Sequence, residues 1–180
     1  MAFILWNDGR GANEATPLAR QYPTPAPIDV TFAPTATVVP ILDAPAPDLP
    51  LQTAEGETFT LADFAPQIVI LNFWASWCPP CVEEMPLLRD FQAANPEVRV
   101  VAVTNPNDGQ TPASIQAFIA ENDLGSLAYG YDAENRLQSW MRAFNLPTTY
   151  IIDQAGVVRF RQIGVVTEDD LAYYLDELRP

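Results

Sequence analysis

The stretch IVILNFWASWCPPCVEEMP, residues 68–86, contains the only two cysteines of the chain, Cys78 and Cys81. Its first seven residues form a continuous apolar run with β-branched side chains. Such a run is typical of a strand that is buried on both faces of a sheet. Because Cys78 follows this run so closely, the sequence predicts a buried strand, a short loop and then two thiols at the start of the next element.

The element that follows is predicted to be a helix. Pro79 suits the first helical turn, because proline has no N–H and its φ angle is already helical. Apolar side chains then recur at helical spacing: Val82, Met85, Leu88 and Phe91. The pattern predicts a helix over residues 79–94 that is kinked at Pro86.

Thiols at a helix N-terminus meet unpaired N–H groups and the positive end of the helix dipole, which stabilise a thiolate. Pro79 and Pro80 have no N–H, so the first backbone donor within reach of the Cys78 sulfur is that of Cys81. We therefore interpret Cys78 as the exposed nucleophile and Cys81 as the buried resolving thiol. A static disulfide or two inert buried thiols remain the structural alternatives.

The flanking sequence alternates between strand and helix patterns, which predicts an α/β domain with a mostly parallel sheet. A hairpin is predicted at residues 49–61 and a second one at residues 148–163, so that the sheet is mixed. The other predicted elements are strands at 98–104 and 126–132 and helices at 111–123, 133–144 and 167–178. Trp74 and Trp140 are assigned to the core, although Trp74 also suits an apolar rim beside Cys78.

The N-terminal part of the chain has a different character. Nine of the eighteen prolines fall in residues 1–50, and proline-rich segments favour extended linkers. We therefore assign residues 1–46 to a proline-rich tether that is mostly extended or disordered, and residues 47–180 to the folded domain. As an alternative, IDVTF (28–32) or TATVVPIL (35–42) would add an edge strand.

Composition excludes several classes of function. The net charge is −14, all nine basic residues are arginine, and such a surface repels nucleic acid. The chain has no histidine, so that imidazole bases and histidine metal sites are absent. Two cysteines supply only half of a thiolate zinc site. We expect no metal and no cofactor other than a redox-active Cys78–Cys81 disulfide.

The chain starts with a short apolar run, FILW (3–6), that is too short for a signal sequence or a membrane span. An apolar start before a polar linker suggests the remnant of a membrane anchor. We therefore expect the protein to be membrane-anchored through a removed N-terminal segment.

Two motifs connect the chain to a known family. FWASWCPPC resembles the active site of thioredoxin-like proteins. The longer NFWASWCPPCVEEMP resembles the TlpA/ResA/CcmG group of extracytoplasmic thiol-disulfide oxidoreductases, which implies an extracytoplasmic location. Downstream, FNLPTTYIIDQAGVVRFRQIG (144–164) is similar to the family's cis-proline loop and hairpin. The resemblance covers residues 46–179. It implies a thioredoxin-like three-layer sandwich with a mixed central sheet, an N-terminal β-hairpin and an inserted helix and strand within residues 105–131.

The same resemblance implies the binding residues. The Leu146–Pro147 bond is expected to be cis, and its loop is expected to lie against the dithiol and offer backbone hydrogen bonds to an extended substrate. The expected substrate-binding residues are Trp77, Pro79, Pro80, Leu146, Pro147 and Thr148.

A proton-transfer group is also expected near the dithiol. Thioredoxin has a buried aspartate in the strand before its cysteines, but the chain has Asn72 there, which cannot take a proton. Glu84 lies one helical turn after Cys81 and matches a glutamate of ResA-type proteins. We therefore expect Glu84 to be a third catalytic residue with a raised pKa. A solvated helix residue is the alternative, as we assume for Glu83.

The resemblance favours a protein-disulfide reductase that a membrane-bound donor of the CcdA/DsbD type recharges, with cytochrome c maturation as a candidate role. The alternatives are a protein disulfide oxidant or isomerase, a peroxidase and a CxxC metal chaperone. The peroxidase is disfavoured because WASW, not the peroxiredoxin pattern PxxxTxxC, leads to Cys78. Glu83 and Glu84 oppose thiolate formation, and this favours the reductase over the oxidant.

Overall fold

The structure is a computed structural model of the chain, and it describes residues 41–179. These residues contain one eight-stranded sheet with the strand order β1-β8-β7-β4-β5-β6-β2-β3. The strands are β1 (Ala44–Pro45), β2 (Leu51–Gln52), β3 (Thr58–Phe59), β4 (Ile68–Phe73), β5 (Val98–Thr104), β6 (Ala128–Tyr131), β7 (Thr148–Ile152) and β8 (Val157–Ile163). The helices are α1 (Pro79–Ala94), α2 (Pro112–Glu121), α3 (Arg136–Met141) and α4 (Glu168–Leu178), and a 3-10 helix spans Leu61–Phe64.

The sheet is mixed, as the sequence predicts. Strand β4 lies at its centre, parallel to β5 and antiparallel to β7. The N-terminal hairpin pairs β2 with β3 and joins the sheet through β6. Helix α2 and strand β6 lie within residues 105–131, where an additional helix and strand are expected. The architecture is that of a thioredoxin-like α/β domain.

Alternation along β4 divides the core into two layers. Ile68 and Ile70 pack with Met85 of α1 on one face of the sheet. Successive side chains along a strand point to opposite faces. On the other face, Val69, Leu71 and Phe73 pack with residues of α3. Both faces of β4 are therefore covered, which is why this strand reads as an unbroken apolar run.

Local signals in the sequence determine where the helices begin. Thr111 accepts a hydrogen bond from the N–H of Ser114 and caps α2, and Thr167 does the same for α4 through Asp170. Helix α1 begins directly after Cys78 and spans residues 79–94, as predicted, with Pro86 inside it.

Three features differ from the sequence predictions. Residues 44–45 fall within the predicted tether, but they pair with Val157 and Val158 as edge strand β1. Helix α3 is shorter than expected, because Arg142 adopts a left-handed conformation with φ of 56° and ends it. Trp140, which was assigned to the core, is 37% exposed.

The predictions for residues 1–40, including FILW and most of the tether, lie outside the described residues.

Helix length also bears on membrane insertion. Within residues 41–179, every helix is too short or too polar to cross a bilayer.

Gly130 provides a test of how closely the N-terminal hairpin packs on the sheet. A Cβ atom at this position would lie 2.8 Å from Cδ1 and 3.1 Å from Cβ of the buried Leu51. We expect Gly130→Ala to lower the free energy of unfolding by about 1–3 kcal/mol in urea denaturation. The matched control is Gly125→Ala, whose added methyl group meets no atom within 4 Å. Equal effects of the two substitutions would contradict the observed packing.

Candidate active site

The two cysteines lie at the N-terminus of α1, just beyond the end of β4. They form a disulfide with their Cα atoms 5.3 Å apart. Cys78 is the N-cap residue of α1, and Cys81 lies in its first turn. Pro79 and Pro80 occupy the first two helical positions, where an N–H would have no intrahelical partner. The disulfide therefore lies at the positive end of a 16-residue helix.

The two sulfur-bearing residues differ in accessibility. Cys78 is 5% exposed and Cys81 is fully buried. In the disulfide form Cys78 is thus more buried than the sequence analysis expects of a nucleophile, since it packs into the core beneath α1 with Trp74 and Ala75. It is nevertheless the less buried member of the pair, which makes it the better placed of the two to meet an incoming sulfur.

Exposed apolar side chains border the disulfide. Trp77, immediately before Cys78, is 50% exposed, and Pro79 and Pro80 are exposed as well. The segments around the cis-proline loop add further exposed apolar residues: Phe144, Ile163 and Val165. Three of the six predicted binding residues, Trp77, Pro79 and Pro80, are therefore at the surface.

The second predicted binding segment is the loop before β7. The Leu146–Pro147 bond is cis. Thr148 pairs with Phe73 of β4, so that this loop lies next to the loop that carries Cys78. Pro147 and Thr148 are buried, and the Thr148 hydroxyl donates to the carbonyl of Asn145. The Thr148 side chain thus holds the loop together rather than facing solvent.

Leu146, the residue before Pro147, is half-buried. Within residues 41–179, neither its N–H nor its carbonyl has a hydrogen-bond partner. Unpaired backbone groups in a loop are able to pair with an extended peptide. The carbonyl of Pro147 is already used, since it accepts from the N–H of Gly164.

Glu84 is buried, with 2% of its surface exposed, so the alternative of a solvated side chain is wrong. One carboxylate oxygen accepts a hydrogen bond of 2.7 Å from the amide of Asn72, and the other accepts one of 3.0 Å from the N–H of Val166. Burial raises the pKa of Glu84 to about 7, although the hydrogen bonds from Val166 and Asn72 lower it in part. Glu83, by contrast, is exposed.

Asn72 links Glu84 to the strand that follows the cis-proline loop. Its amide donates a second hydrogen bond of 3.0 Å to the hydroxyl of Thr149, which is its register partner on β7. The sequence analysis identified Asn72 and Glu84 but missed Thr149 and Val166. The pairing of Thr149 with Asn72 depends on strand register, which the local sequence does not determine. Val166 acts through its backbone N–H, so no side-chain pattern indicates it.

A metal site is not indicated by the described side chains. Among residues 41–179, no three histidine, cysteine or carboxylate residues lie close enough together to hold a metal ion.

A disulfide between two cysteines three residues apart, at the N-terminus of the helix that follows the central strand of a thioredoxin-like sheet, defines a thiol-disulfide oxidoreductase. Its substrates are the thiols and disulfides of proteins. The chain belongs to the AhpC/TSA family, whose pattern matches residues 42–161.

Similar proteins carry names that agree with this class. The thioredoxin-like protein YneN of Bacillus subtilis is 34% identical over 136 residues, which cover 73% of this chain and 76% of that protein. The thiol-disulfide oxidoreductase ResA of Geobacillus thermodenitrificans is 30% identical over 137 residues, or 75% of this chain and 76% of ResA. The crystal structure of the pneumococcal exposed lipoprotein thioredoxin from Streptococcus pneumoniae is 27% identical, with a TM-score of 0.65 over 73% of this chain and 100% of that one.

Proposed function

We propose that the protein is an extracytoplasmic reductase of protein disulfides. The Cys78 thiolate attacks a substrate disulfide, so that a mixed disulfide forms and one substrate sulfur leaves as a thiolate. Cys81 then attacks the Cys78 sulfur, and the second substrate sulfur leaves. Two electrons pass to the substrate, and the protein ends with the Cys78–Cys81 disulfide. The observation that carries this proposal is the Cys78–Cys81 disulfide at a helix N-terminus, in which Cys78 is 5% exposed and Cys81 is fully buried.

The direction of electron flow is inferred from the charges around the dithiol. An oxidant of this type is strong when its reduced form is stabilised, which requires a favoured thiolate. The chain has no lysine or histidine to favour one, and Glu83 and Glu84 lie two and three residues after Cys81. Their carboxylates oppose a thiolate. We therefore infer that the reduced form is a good electron donor.

Glu84 is proposed to exchange a proton with Cys81 during resolution of the mixed disulfide. It lies one helical turn from Cys81, it is buried, and its pKa of about 7 allows it to give or take a proton near neutral pH. Asn72 and Val166 hold both of its oxygens. The resulting site consists of Cys78 as nucleophile, Cys81 as resolving thiol and Glu84 as proton carrier.

Glu84→Gln tests this role. We expect the substitution to slow the reduction of a peptide disulfide by roughly a hundredfold and to remove an inflection near pH 7 from its pH-rate profile. The measurement is stopped-flow reduction of the peptide by the reduced protein from pH 5 to 9. The matched control is Glu83→Gln, at the exposed neighbouring position. A Glu84→Gln profile that keeps the inflection would exclude Glu84 as the proton carrier.

The proposed location is the outer face of the cytoplasmic membrane, with the chain anchored through an N-terminal segment. An exposed lipoprotein thioredoxin among the similar structures supports this proposal. A membrane-bound donor of the CcdA/DsbD type would return the electrons to Cys78 and Cys81. We propose that the reaction needs no cofactor beyond this disulfide.

The proposed substrate class is the oxidised haem-attachment motif of apocytochrome c, Cys-x-x-Cys-His. This proposal predicts that the reduced protein reacts at least about tenfold faster with a peptide that carries an oxidised Cys-x-x-Cys-His motif than with a peptide of the same composition whose cysteines lie ten residues apart. The rates are measured by loss of the free thiols of the protein. Equal rates would contradict the cytochrome c role and leave the reductase itself in place.

A further inference from the structure

The loop between β5 and α2, residues 105–111, packs against the segment that precedes Cys78. Strand β5 is the parallel neighbour of β4, so both strands end at the same edge of the sheet. Strand β7 is the other neighbour of β4. The 105–111 loop therefore borders the disulfide on the side opposite the cis-proline loop.

Gln110 joins this loop to the segment before Cys78. Its side-chain carbonyl accepts two hydrogen bonds from Ser76, one of 3.0 Å from the N–H and one of 2.8 Å from the hydroxyl. Its amide nitrogen donates to the hydroxyl of Thr104 at 2.7 Å and to the carbonyl of Asn105 at 2.9 Å. A glutamine side chain can accept two hydrogen bonds and donate two, so Gln110 is fully satisfied here.

Few other residue types could replace Gln110. Glutamate has the same length but no N–H donors, so that it would place a carboxylate oxygen against the carbonyl of Asn105. Asparagine is one methylene shorter. The four hydrogen bonds thus account for the presence of glutamine at this position, half-buried in a polar loop.

Trp77 is held by the same loop. Its indole N–H donates a hydrogen bond of 2.6 Å to the carbonyl of Asp108. The next residue, Gly109, has φ of +66°, and a Cβ atom there would lie 3.3 Å from the indole nitrogen. The close approach and the left-handed backbone both favour glycine. One edge of the indole is therefore fixed, while half of the side chain stays exposed beside Cys78.

We infer that Gln110 and Gly109 are positioning residues that hold Trp77 as one side of the polypeptide-binding site, opposite the cis-proline loop. Gln110 fixes the backbone at Ser76, and Gly109 provides the surface on which the indole edge lies. The exposed face of Trp77 then packs against the residue next to the substrate cysteine. This inference requires only a polypeptide substrate, and it is independent of the direction of electron flow and of Glu84.

The test compares two disulfide probes with each reduced variant. One probe is a ten-residue peptide with a single internal disulfide, and the other is hydroxyethyl disulfide, which is too small to contact Trp77 and the cis-proline loop together. For Gln110→Glu and Gly109→Ala, we expect the ratio of the peptide rate to the small-disulfide rate to fall about tenfold. The matched control is Asn107→Ala, an exposed position in the same loop, for which we expect the wild-type ratio.

A second measurement separates positioning from loss of structure. Trp77→Phe should lower the same ratio, and adding Gly109→Ala to it should cause little further loss, because the glycine acts through the indole. Additive losses in the double variant would overturn the inference. An unchanged ratio in Gln110→Glu and Gly109→Ala would also overturn it. This includes the case in which both rates fall equally, which would indicate general damage to the dithiol.

Discussion

Cys81→Ser should turn the protein into a trap that holds its substrate as a mixed disulfide on Cys78. Cys81 is the buried member of the pair and lies three residues along α1, so that it is placed to attack the Cys78 sulfur from within the protein. Without it, Cys78 still attacks the substrate, but release by the second thiol cannot occur. We expect turnover to be abolished and a stoichiometric adduct of Cys78 with a disulfide peptide to accumulate in mass spectrometry.

Cys78→Ser is the matched control for this trap. Cys81 is fully buried, so it should not reach the peptide, and the variant should form no stable adduct. Two results would contradict the assignment of roles. One is an adduct on Cys81 in the Cys78→Ser variant, and the other is multiple turnover by Cys81→Ser.

The free energy of unfolding of the disulfide form should fall by about 3 kcal/mol as the pH rises from about 4.5 to about 7. Burial raises the pKa of Glu84 from 4.5 to about 7 in the folded state. Between these values the folded protein binds more protons than the unfolded chain, so its free energy of unfolding falls as the pH rises. The loss is complete above pH 7, where Glu84 is ionised in both states.

Few other side chains titrate in the upper part of this window, whereas below about pH 5.5 carboxylates such as Glu97, whose pKa is lowered by Arg179, change the stability in the opposite direction in wild type and variants alike. The chain has no histidine, and in the disulfide form its two cysteines have no ionisable thiol. Urea unfolding from pH 4 to 8 should therefore show the fall in wild type and its absence in Glu84→Gln. The exposed neighbour supplies the control, since Glu83→Gln should keep the fall. A flat wild-type profile, or an equal fall in Glu84→Gln, would contradict a buried carboxyl with a raised pKa.

Much of the fold could be predicted from sequence because its signals are local. The apolar run of β4, the prolines that begin α1 and the threonine caps of α2 and α4 each act within a few residues. Strand β1 has no such signal. It consists of two residues in a proline-rich segment, and it forms only because Ala44 and Pro45 reach β8. Its pairing depends on tertiary structure.

The candidate site was predictable to the extent that its residues lie close together in the sequence. The positions of Cys78, Cys81 and Glu84 follow from one helix, and the cis peptide at Pro147 follows from the family resemblance rather than from the residues. Thr149 and Gln110 were missed, because their partners are 77 and 34 residues away in the sequence. Contacts of that kind are set by strand register and loop packing.

The reduction potential of the Cys78–Cys81 pair tests the central claim most directly. It is measured by equilibrating the protein with glutathione or dithiothreitol redox buffers and quantifying the free thiols. A protein-disulfide reductase should have a potential near that of thioredoxin, about −270 mV. A potential near −120 mV, in the range of a strong disulfide oxidant, would contradict the account and reverse the direction of electron flow.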